Sequence, residues 1–390
     1  MDLFFSTEKF KLNPKSDHGY AGFPILISKE GKVEEEALDF CIYYLFQRGR
    51  VGSEKSWETY GKALYQFFAF CEAYDRDWRD VGNDREGTIL AEYRDWGLRA
   101  DGGNLAASTM NARLRLLIAF YQHAMKRGWV SALPYDMETV RVRQPKGFLA
   151  HVDASGGQRM SPNVMAKTPR PVIRVLNKDQ VRDLLHALKN PTHNLIARLA
   201  LTSGLRRQEL ATFPLKYVFN AANYTKNRTF IRVNCDPADM KLKNNQPRGI
   251  DVPRTVMADL WQYVTDRRHQ HESISGQKQS VLFLTNDGRP YANDGAGIYK
   301  VIKKAGDAAG IPYVTPHVLR HTYATQTLYA MMKFKGNAET FPLLYVQARL
   351  GHASIETTKD YLHSISELED DLMDAYQDEI DFMSREIVDA

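Results

Sequence analysis

The sequence lacks several features that mark familiar classes of protein. Its three cysteines, Cys41, Cys71 and Cys235, are odd in number and scattered, so they form neither a disulfide framework nor a zinc-binding spacing, which fits a reducing cytoplasm. No apolar run approaches the length that spans a bilayer, and the N-terminus lacks the apolar stretch of a signal peptide. A disulfide scaffold, a zinc module and a membrane protein are therefore not expected.

Motifs for two common kinds of phosphate chemistry are also missing. The chain has no GxxxxGK[ST] loop, which binds nucleoside triphosphates in many enzymes. It has no cluster of carboxylates of the kind that holds two catalytic metal ions. We therefore expect a protein that uses neither a cofactor nor a bound metal.

Charge is distributed unevenly along the 390 residues. The net charge is +5, but residues 365–390 hold ten acidic residues and one basic residue and so carry −9. The other 364 residues therefore carry +14. A basic body with an acidic tail indicates a polyanionic partner, most often nucleic acid, although a solubilising charged surface explains the charge alone equally well.

Hydrophobic periodicity and breaks in composition divide the chain into segments. A length of 390 residues suits two domains, and the helical pattern begins near residue 34 after a stretch with little periodicity. The predicted segments are a loosely structured N-terminal extension over 1–33, a helical domain over 34–139, a basic linker rich in proline and glycine over 140–175, a mixed α/β domain over 176–364 and an acidic C-terminal helix over 365–390.

Both domains contain recognisable secondary-structure patterns. In the first, apolar residues recur at spacings of three and four, which predicts the helices 53–75, 86–99 and 107–127. In the second, Asn177 and Gln180 predict a capping box at the first helix. The candidate strands of the second domain are Thr229–Asn234, Gly249–Pro253 and Val281–Leu284.

Three short motifs in the second domain carry groups suited to phosphate chemistry. They are Gly204-Leu205-Arg206 continuing to Glu209-Leu210, His317-Val318-Leu319-Arg320-His321, and Leu350-Gly351-His352 followed by Tyr361. Two arginines bind phosphate oxygens, two histidines hold or move protons near neutral pH, and a tyrosine supplies an oxygen nucleophile. Taken singly, these residues are more often ordinary salt bridges and core side chains. As an ordered set they predict phosphoryl transfer without a metal.

The order of these motifs resembles the phage integrase family of tyrosine recombinases. The resemblance spans about residues 177–363, and the helical domain with Ser108–Leu114 continuing to Phe120-Tyr121 resembles the family's core-binding domain. It implies a protein that is mainly α with a small β-sheet, a helical core-binding domain joined to a mixed α/β catalytic domain. It also implies a site-specific recombinase that cleaves and rejoins DNA through a 3′-phosphotyrosyl intermediate during integration, excision or resolution.

The resemblance assigns roles to individual residues. Arg206 and Arg320 would bind the scissile phosphate, Tyr361 would attack it, and His352 would donate a hydrogen bond to it. His317 would either act as base toward the nucleophile or hold the phosphate. Glu209 would brace the site, and His321 would belong to the packing. Contacts to DNA outside the catalytic centre are expected from basic residues of the first domain and the linker, namely Arg113, Arg115, Arg141, Arg143 and Lys146.

The general acid is the role with two candidates. The family places a lysine in a β-hairpin turn ahead of a strand that ends in proline. Lys243 lies at the apparent turn, ten residues before Pro253, about two residues farther than the usual spacing. We favour Lys243 and keep Lys241 as the alternative; a surface lysine without a role is the third reading.

The resemblance also implies partners and rivals. It implies duplex DNA held between the two domains, a homo-tetramer on DNA, room for accessory DNA-bending or directionality proteins, and a cytoplasmic, nucleoid-associated location. One rival function is a topoisomerase or telomere-resolving enzyme with the same chemistry, distinguished by its DNA products. Another is a DNA-binding regulator that has lost cleavage, which would lack an essential residue.

Overall fold

The computed structural model divides the chain into two compact units, Met1–Arg170 and Pro171–Ala390. The described residues are 1–11, 19–48, 54–83, 87–141, 158–168, 173–224, 228–333 and 341–351, with Thr358 and Tyr361. Both units are mainly helical with small two-stranded sheets, which confirms the predicted fold class. Within these ranges no helix is long and apolar enough to cross a membrane.

The described residues of the first unit form four helices and three pairs of short strands. Its helices are α1 (Glu35–Cys41), which continues as a π-helical turn over Ile42–Gln47, α2 (Glu54–Ala73), α3 (Ile89–Leu98) and α4 (Ala107–Arg127). Its antiparallel strand pairs are β1 (Asp2–Phe5) with β2 (Pro24–Ile27), β3 (Gly82–Asn83) with β4 (Gly87–Thr88), and β5 (Met137–Arg141) with β6 (Gln158–Pro162).

The core of the first unit is rich in aromatic side chains. On α2 the fully buried Phe67 packs edge-on against Tyr93 of α3 and Tyr121 of α4. Such edge-to-face pairs stabilise a core beyond the area they bury. Helix α4 ends at Gly128, whose φ of 74° lies in the left-handed region where a helix commonly stops. The predicted helices 53–75, 86–99 and 107–127 thus correspond to α2, α3 and α4.

The N-terminal segment differs from the loosely structured extension that the sequence predicts. Strands β1 and β2 pair over four residues each, and Phe23 and Leu26 are buried in the core of the helical unit. Phe23 stacks on Phe46 of the π-helical turn. The strands could not be predicted from hydrophobic periodicity because each is only four residues long. Burial of individual apolar side chains such as Phe23 and Leu26 holds the segment in place.

The predicted basic linker also contains more structure than expected. Strands β5 and β6 form an antiparallel pair, and Val164 beyond them is buried in the core of the first unit. The Asn111 side chain both donates to the Ala166 carbonyl and accepts from the Ala166 N–H, each at 2.8 Å. Residues 158–168 therefore belong to the first unit.

In the part of the second unit that the structure describes, helices surround one pair of strands. Its helices are α5 (Lys178–Ala187), α6 (Pro191–Ser203), α7 (Arg207–Ala211), α8 (Arg254–Tyr263), α9 (His269–Ser275), α10 (Ala292–Ala308), α11 (Pro316–Lys333) and α12 (Pro342–Leu350). Its strands are β7 (Phe230–Cys235) and β8 (Arg248–Pro253), antiparallel with Phe230 opposite Pro253. The capping box of Asn177 and Gln180 at α5 is confirmed.

Two of the three predicted strands of this unit are present, and the third is wrong. Strand β7 alternates exposed and buried residues, which is the pattern that identified it. Residues 281–284 form no strand; only isolated bridges hold their ends, Val281 to Pro214 and Leu284 to Pro290. The apolar run is instead a buried crossing segment, with the Leu282 N–H donating to the Phe213 carbonyl at 2.7 Å.

Candidate active site

Helix α11 gathers three predicted site residues on one face. His317, Arg320 and His321 are separated by three and four positions, which places their side chains on the same side of the helix. Arg320 is almost completely buried, 1% exposed. Its two terminal nitrogens donate to the carbonyl oxygens of Gly204 and Leu350, each at 2.6 Å. A guanidinium has five N–H groups, so others are left for a ligand.

The two carbonyls that hold Arg320 come from the C-terminal ends of two helices. Gly204 ends α6 and Gly351 ends α12, with φ values of 66° and 61° in the left-handed region. A side chain at Gly204 would also meet the ring of Tyr323, its Cβ lying 2.4 Å from the nearest ring atom. The glycines of the first and third motifs therefore end helices and aim partial negative charge at Arg320.

Arg206 of the first motif is bound to a buried carboxylate. Glu209 is fully buried, and its oxygens accept from the Arg206 backbone N–H at 2.7 Å and from Arg206 Nη1 at 3.1 Å. The bracing role expected for Glu209 is consistent with this geometry.

A third arginine, Arg248 at the start of β8, completes the pairing of Glu209. Its Nη1 and Nη2 donate to the two Glu209 oxygens at 2.9 Å and 2.5 Å, and its Nε donates to the Arg349 carbonyl at 3.0 Å. Sequence reasoning missed Arg248 because it lies outside the recognised motifs; its only signal is a charged residue opening a strand that is otherwise buried.

Glu209 remains ionised because of these partners. Burial alone raises the pKa of a carboxylic acid, but the hydrogen bonds and charge of Arg248, followed by those of Arg206, lower the pKa of Glu209 below its ordinary value. The Glu209 carboxylate thus fixes the positions of Arg206 and Arg248. Arg248 in turn is joined to the end of α12, because its Nε donates to the Arg349 carbonyl.

A second carboxylate, Asp251, fixes α12 to strand β8. It accepts from Tyr345 Oη and from Arg349 Nε, each at 2.6 Å, and also pairs with Arg232 of β7. Burial favours the neutral form of Asp251, yet the hydrogen bonds from Tyr345, Arg232 and Arg349 lower its pKa. Arg248 and Asp251 of β8 therefore both hold the end of α12, just ahead of the turn that precedes His352.

The two candidate lysines lie in the loop between β7 and β8. Met240 and Leu242 are buried, so the alternating neighbours Lys241 and Lys243 are exposed. Lys241 Nζ lies 3.3 Å from the Asp294 carboxylate. Lys243 begins a 3-10 turn, and its charge acts on His317 of α11.

Tyr361 lies in the same site. It is 2% exposed, and its charge interaction with Arg320 contributes to the pKa of that arginine. The Tyr361 hydroxyl is 3.0 Å from His321 Nδ1. His321 was expected to belong to the packing, and its ring does pack between those of His317 and Tyr361, but it also contacts the tyrosine oxygen.

The cations of the site shift the pKa values of the two histidines. Burial of the ring, followed by the charges of Arg320, Arg206 and Lys243, lowers the pKa of His317. Burial, then His317 and Arg320, lowers the pKa of His321 to about 4. Both imidazoles are therefore neutral at pH 7 in the protein alone. Burial and Arg206 lower the pKa of Arg320 to about 9, which still leaves it charged.

The remaining predicted site residues either belong to the first unit or fall outside the described residues. His352, Arg143, Lys146 and the tail 365–390 are outside the described residues. Arg115 on α4 and Arg141 at the end of β5 are exposed. Arg113 is half-buried, and it opposes the rise that burial causes in the pKa of Tyr93. Among the described residues, no group of three or more His, Cys, Asp or Glu side chains is placed to hold a metal ion.

Replacing Arg248 tests the pairing of Glu209. Arg248→Met should lower the free energy of unfolding by about 3–5 kcal/mol at pH 7, because it leaves a buried carboxylate with one partner. The folded-state pKa of Glu209 is depressed, so its contribution is present above the unfolded pKa and is lost as pH falls through the folded value. Urea unfolding should therefore show a smaller difference between the two proteins below about pH 4.

Arg232→Met is the matched control, because Arg232 is about half exposed and its pair with Asp251 is screened by water. Arg232→Met should lower the free energy of unfolding by about 1 kcal/mol or less. Equal midpoints for wild-type protein and Arg248→Met at pH 7 would show that Arg248 does not stabilise Glu209.

A family model and individual relatives identify the same class of protein as the motifs of the second unit do. The model of the phage integrase family matches residues 174–367, which include the described cluster. Transposase A from transposon Tn554 of Staphylococcus aureus is 25% identical over 358 residues, covering 87% of this chain and 90% of the relative. Tyrosine recombinase XerC of Roseiflexus castenholzii is 27% identical over 292 residues, covering 73% of this chain and 75% of the relative.

Solved structures show the same fold. The XerH site-specific recombinase, in a post-cleavage complex with a palindromic difH substrate, is 16% identical with a TM-score of 0.54, covering 88% of each chain. The Tn1549 transposon integrase in complex with circular intermediate DNA is 18% identical with a TM-score of 0.54, covering 83% of this chain and 94% of that chain. The chain belongs to the phage integrase family of tyrosine recombinases and is a site-specific recombinase.

Proposed function

We propose that this recombinase cleaves duplex DNA by attack of Tyr361 on a phosphate bound between Arg206 and Arg320. The P–O5′ bond breaks, a 3′-phosphotyrosyl bond forms, and a free 5′-hydroxyl is released; attack by a 5′-hydroxyl reverses the step. The observation that carries the proposal is the position of Tyr361, whose hydroxyl lies 3.0 Å from Nδ1 of His321, the residue that follows Arg320 on α11.

The charge of the cluster suits this reaction. Glu209 is shared by Arg206 and Arg248, so its single negative charge leaves two of the three positive charges of Arg206, Arg248 and Arg320 unbalanced. A phosphodiester carries one negative charge and gains a second as the nucleophile adds. Two fixed positive charges in a partly dry site stabilise that change more than they stabilise the ground state.

The contacts of the lysines favour Lys243 as the general acid. Lys241 is paired with Asp294, whereas the charge of Lys243 acts on His317 beside the arginines. Lys243 is thus the lysine whose ammonium lies near the phosphate site, where it would protonate the leaving 5′-oxygen. His317 and His352 would hold the phosphate, the latter on the strength of its sequence motif alone.

DNA would be contacted by both units. We propose phosphate contacts from the exposed Arg115 and Arg141, with Arg113, Arg143 and Lys146, because the body of the chain carries +14 outside its last 26 residues. We further propose that duplex DNA is bound by a core-binding domain, to which the first unit corresponds, and a catalytic domain, to which the second unit corresponds. A recombinase acting on chromosomal DNA would be associated with the nucleoid.

Strand exchange requires two duplexes, and we propose a homo-tetramer on DNA that leaves room for accessory DNA-bending or directionality proteins. The support is in the tail, where apolar residues recur at intervals of three and four: Leu368, Leu372, Tyr376, Ile380, Met383 and Ile387. Such an acidic helix would be repelled by DNA, so its apolar side would bind protein.

Removing the hydroxyl of Tyr361 tests the nucleophile. Tyr361→Phe should bind DNA normally and form no covalent complex, because no oxygen remains to attack. The substrate, termed the selected duplex, is a nicked duplex. It carries a site that the wild-type protein selects from a random-sequence library. Denaturing gels measure the adduct, and Tyr299→Phe on the surface of α10 serves as the matched control. An adduct formed by Tyr361→Phe would overturn the proposal.

Replacing each lysine tests the general acid. Lys243→Ala should slow cleavage by about 10²-fold or more with little change in DNA affinity. A selected duplex with a bridging 5′-phosphorothiolate should restore much of the rate, because sulfur leaves without a proton. Lys241→Ala is the matched control and should cleave both substrates nearly as the wild type does. Rescue of Lys241→Ala but not of Lys243→Ala would reverse the assignment.

Removing the tail tests its role in assembly. A chain that ends after Ser366 should bind a single selected duplex normally but bring two together poorly, because the apolar side of the tail would join neighbouring subunits. Native gels measure synapsis, and sequencing of junctions measures recombination. Unchanged synapsis would assign the tail to its own subunit or to no role in assembly.

A further inference from the structure

His321 contacts the hydroxyl oxygen of Tyr361, the oxygen proposed to attack the phosphate. Its Nδ1 lies 3.0 Å from Tyr361 Oη, and the two rings are 5.5 Å apart between centroids. Tyr361 is 2% exposed and packs in a cluster with Tyr323, Ala324 and Leu328 of α11. Because surrounding side chains cover the phenol, bulk water has little access to its proton. A neighbouring group must take it.

His317 is less well placed to take that proton. It lies beside Arg320, Arg206 and Lys243, whose charges contribute to its lowered pKa and which are the groups assigned to the phosphate and the leaving oxygen. Its ring packs edge-on against His321, with centroids 4.2 Å apart. Of the two roles left open for His317 by the sequence, this geometry favours holding the phosphate.

We propose that His321 is the base that activates the nucleophile, accepting the Tyr361 hydroxyl proton at Nδ1 as the phenol oxygen attacks phosphorus. The O–H bond of Tyr361 breaks and an N–H bond forms on His321, while the electron pair of the oxygen forms the bond to phosphorus. The P–O5′ pair leaves with the 5′-oxygen, which is protonated by the general acid. On resealing, His321 returns the proton to Tyr361.

The charges around His321 would link this step to DNA binding. In the protein alone, burial of the ring, followed by its interactions with His317 and with the charged Arg320, lowers the pKa of His321 to about 4, so the imidazole is neutral and able to accept a proton. A phosphodiester bound at Arg320 adds a negative charge that offsets the charge of that arginine. The base therefore becomes stronger when its substrate is present. Among the described residues, the titratable side chain of Tyr361 also contacts the ring.

Substitution of His321 separates a base from a residue that only positions the tyrosine. The inference depends on Tyr361 being the nucleophile. With the selected duplex, His321→Gly and His321→Asn should form the covalent adduct about 100-fold or more slowly at pH 7, with DNA affinity unchanged. Asparagine can accept the hydrogen bond but cannot take the proton. Added imidazole should restore adduct formation by His321→Gly and leave the wild type unaffected.

The pH dependence provides a second readout. Without a base, the adduct rate should continue to rise with pH as the phenol ionises unaided, whereas the wild-type rate should level off. His193→Gly is the matched control, since His193 is a half-buried histidine of α6 whose pKa is also lowered by burial. Thermal unfolding and DNA binding of each variant confirm that it is folded.

Three outcomes would count against the inference in different ways. A wild-type rate and pH profile for His321→Asn would show that the residue only positions Tyr361. Slow cleavage by His321→Gly that imidazole does not restore would show a structural role. An adduct formed by Tyr361→Phe would place the failure in the assignment of the nucleophile instead.

Discussion

The buried carboxylate of Glu209 is the constraint on which the arrangement of the site depends. It is ionised within the protein, and each of its oxygens is held by arginine donors. An unpaired charge at this depth would be strongly destabilising, so Arg206 and Arg248 must stay in place while the unit is folded. Arg320 needs no carboxylate, because the ends of α6 and α12 supply carbonyl oxygens. Its full charge is therefore available to a ligand.

Sequence reasoning found the parts of the site that are encoded by short motifs. Arg206, Glu209 and Arg320 were predicted from the order of the motifs, and the structure brings them together with Tyr361. The helices of the first unit were predicted because apolar side chains repeat at the spacing of a helical face. Both kinds of feature, motifs and helices, are encoded by residues that lie close together in the sequence.

The parts that were missed depend on contacts between distant segments. Arg248 is 39 residues from Glu209 and 101 residues from Arg349, and nothing near it in sequence marks the pairing. His321 and Tyr361 are 40 residues apart, so their contact could not be inferred from the sequence, and His321 was expected only to belong to the packing. The N-terminal strand pair escaped notice for a related reason, because each strand is stabilised by the helices that it covers.

The loop between β7 and β8 has a bearing on how such a protein changes in length during evolution. Asn244 and Asn245 both adopt left-handed conformations, with φ values of 60° and 50°, which asparagine tolerates better than most residues. Extra residues at this tip are therefore coiled into the turn, and the paired strands keep their register. An insertion of one residue within β8 would instead turn its buried side chains outward and displace Arg248 and Asp251 together. Natural variation in this region should therefore collect at the tip, while the strand lengths stay constant.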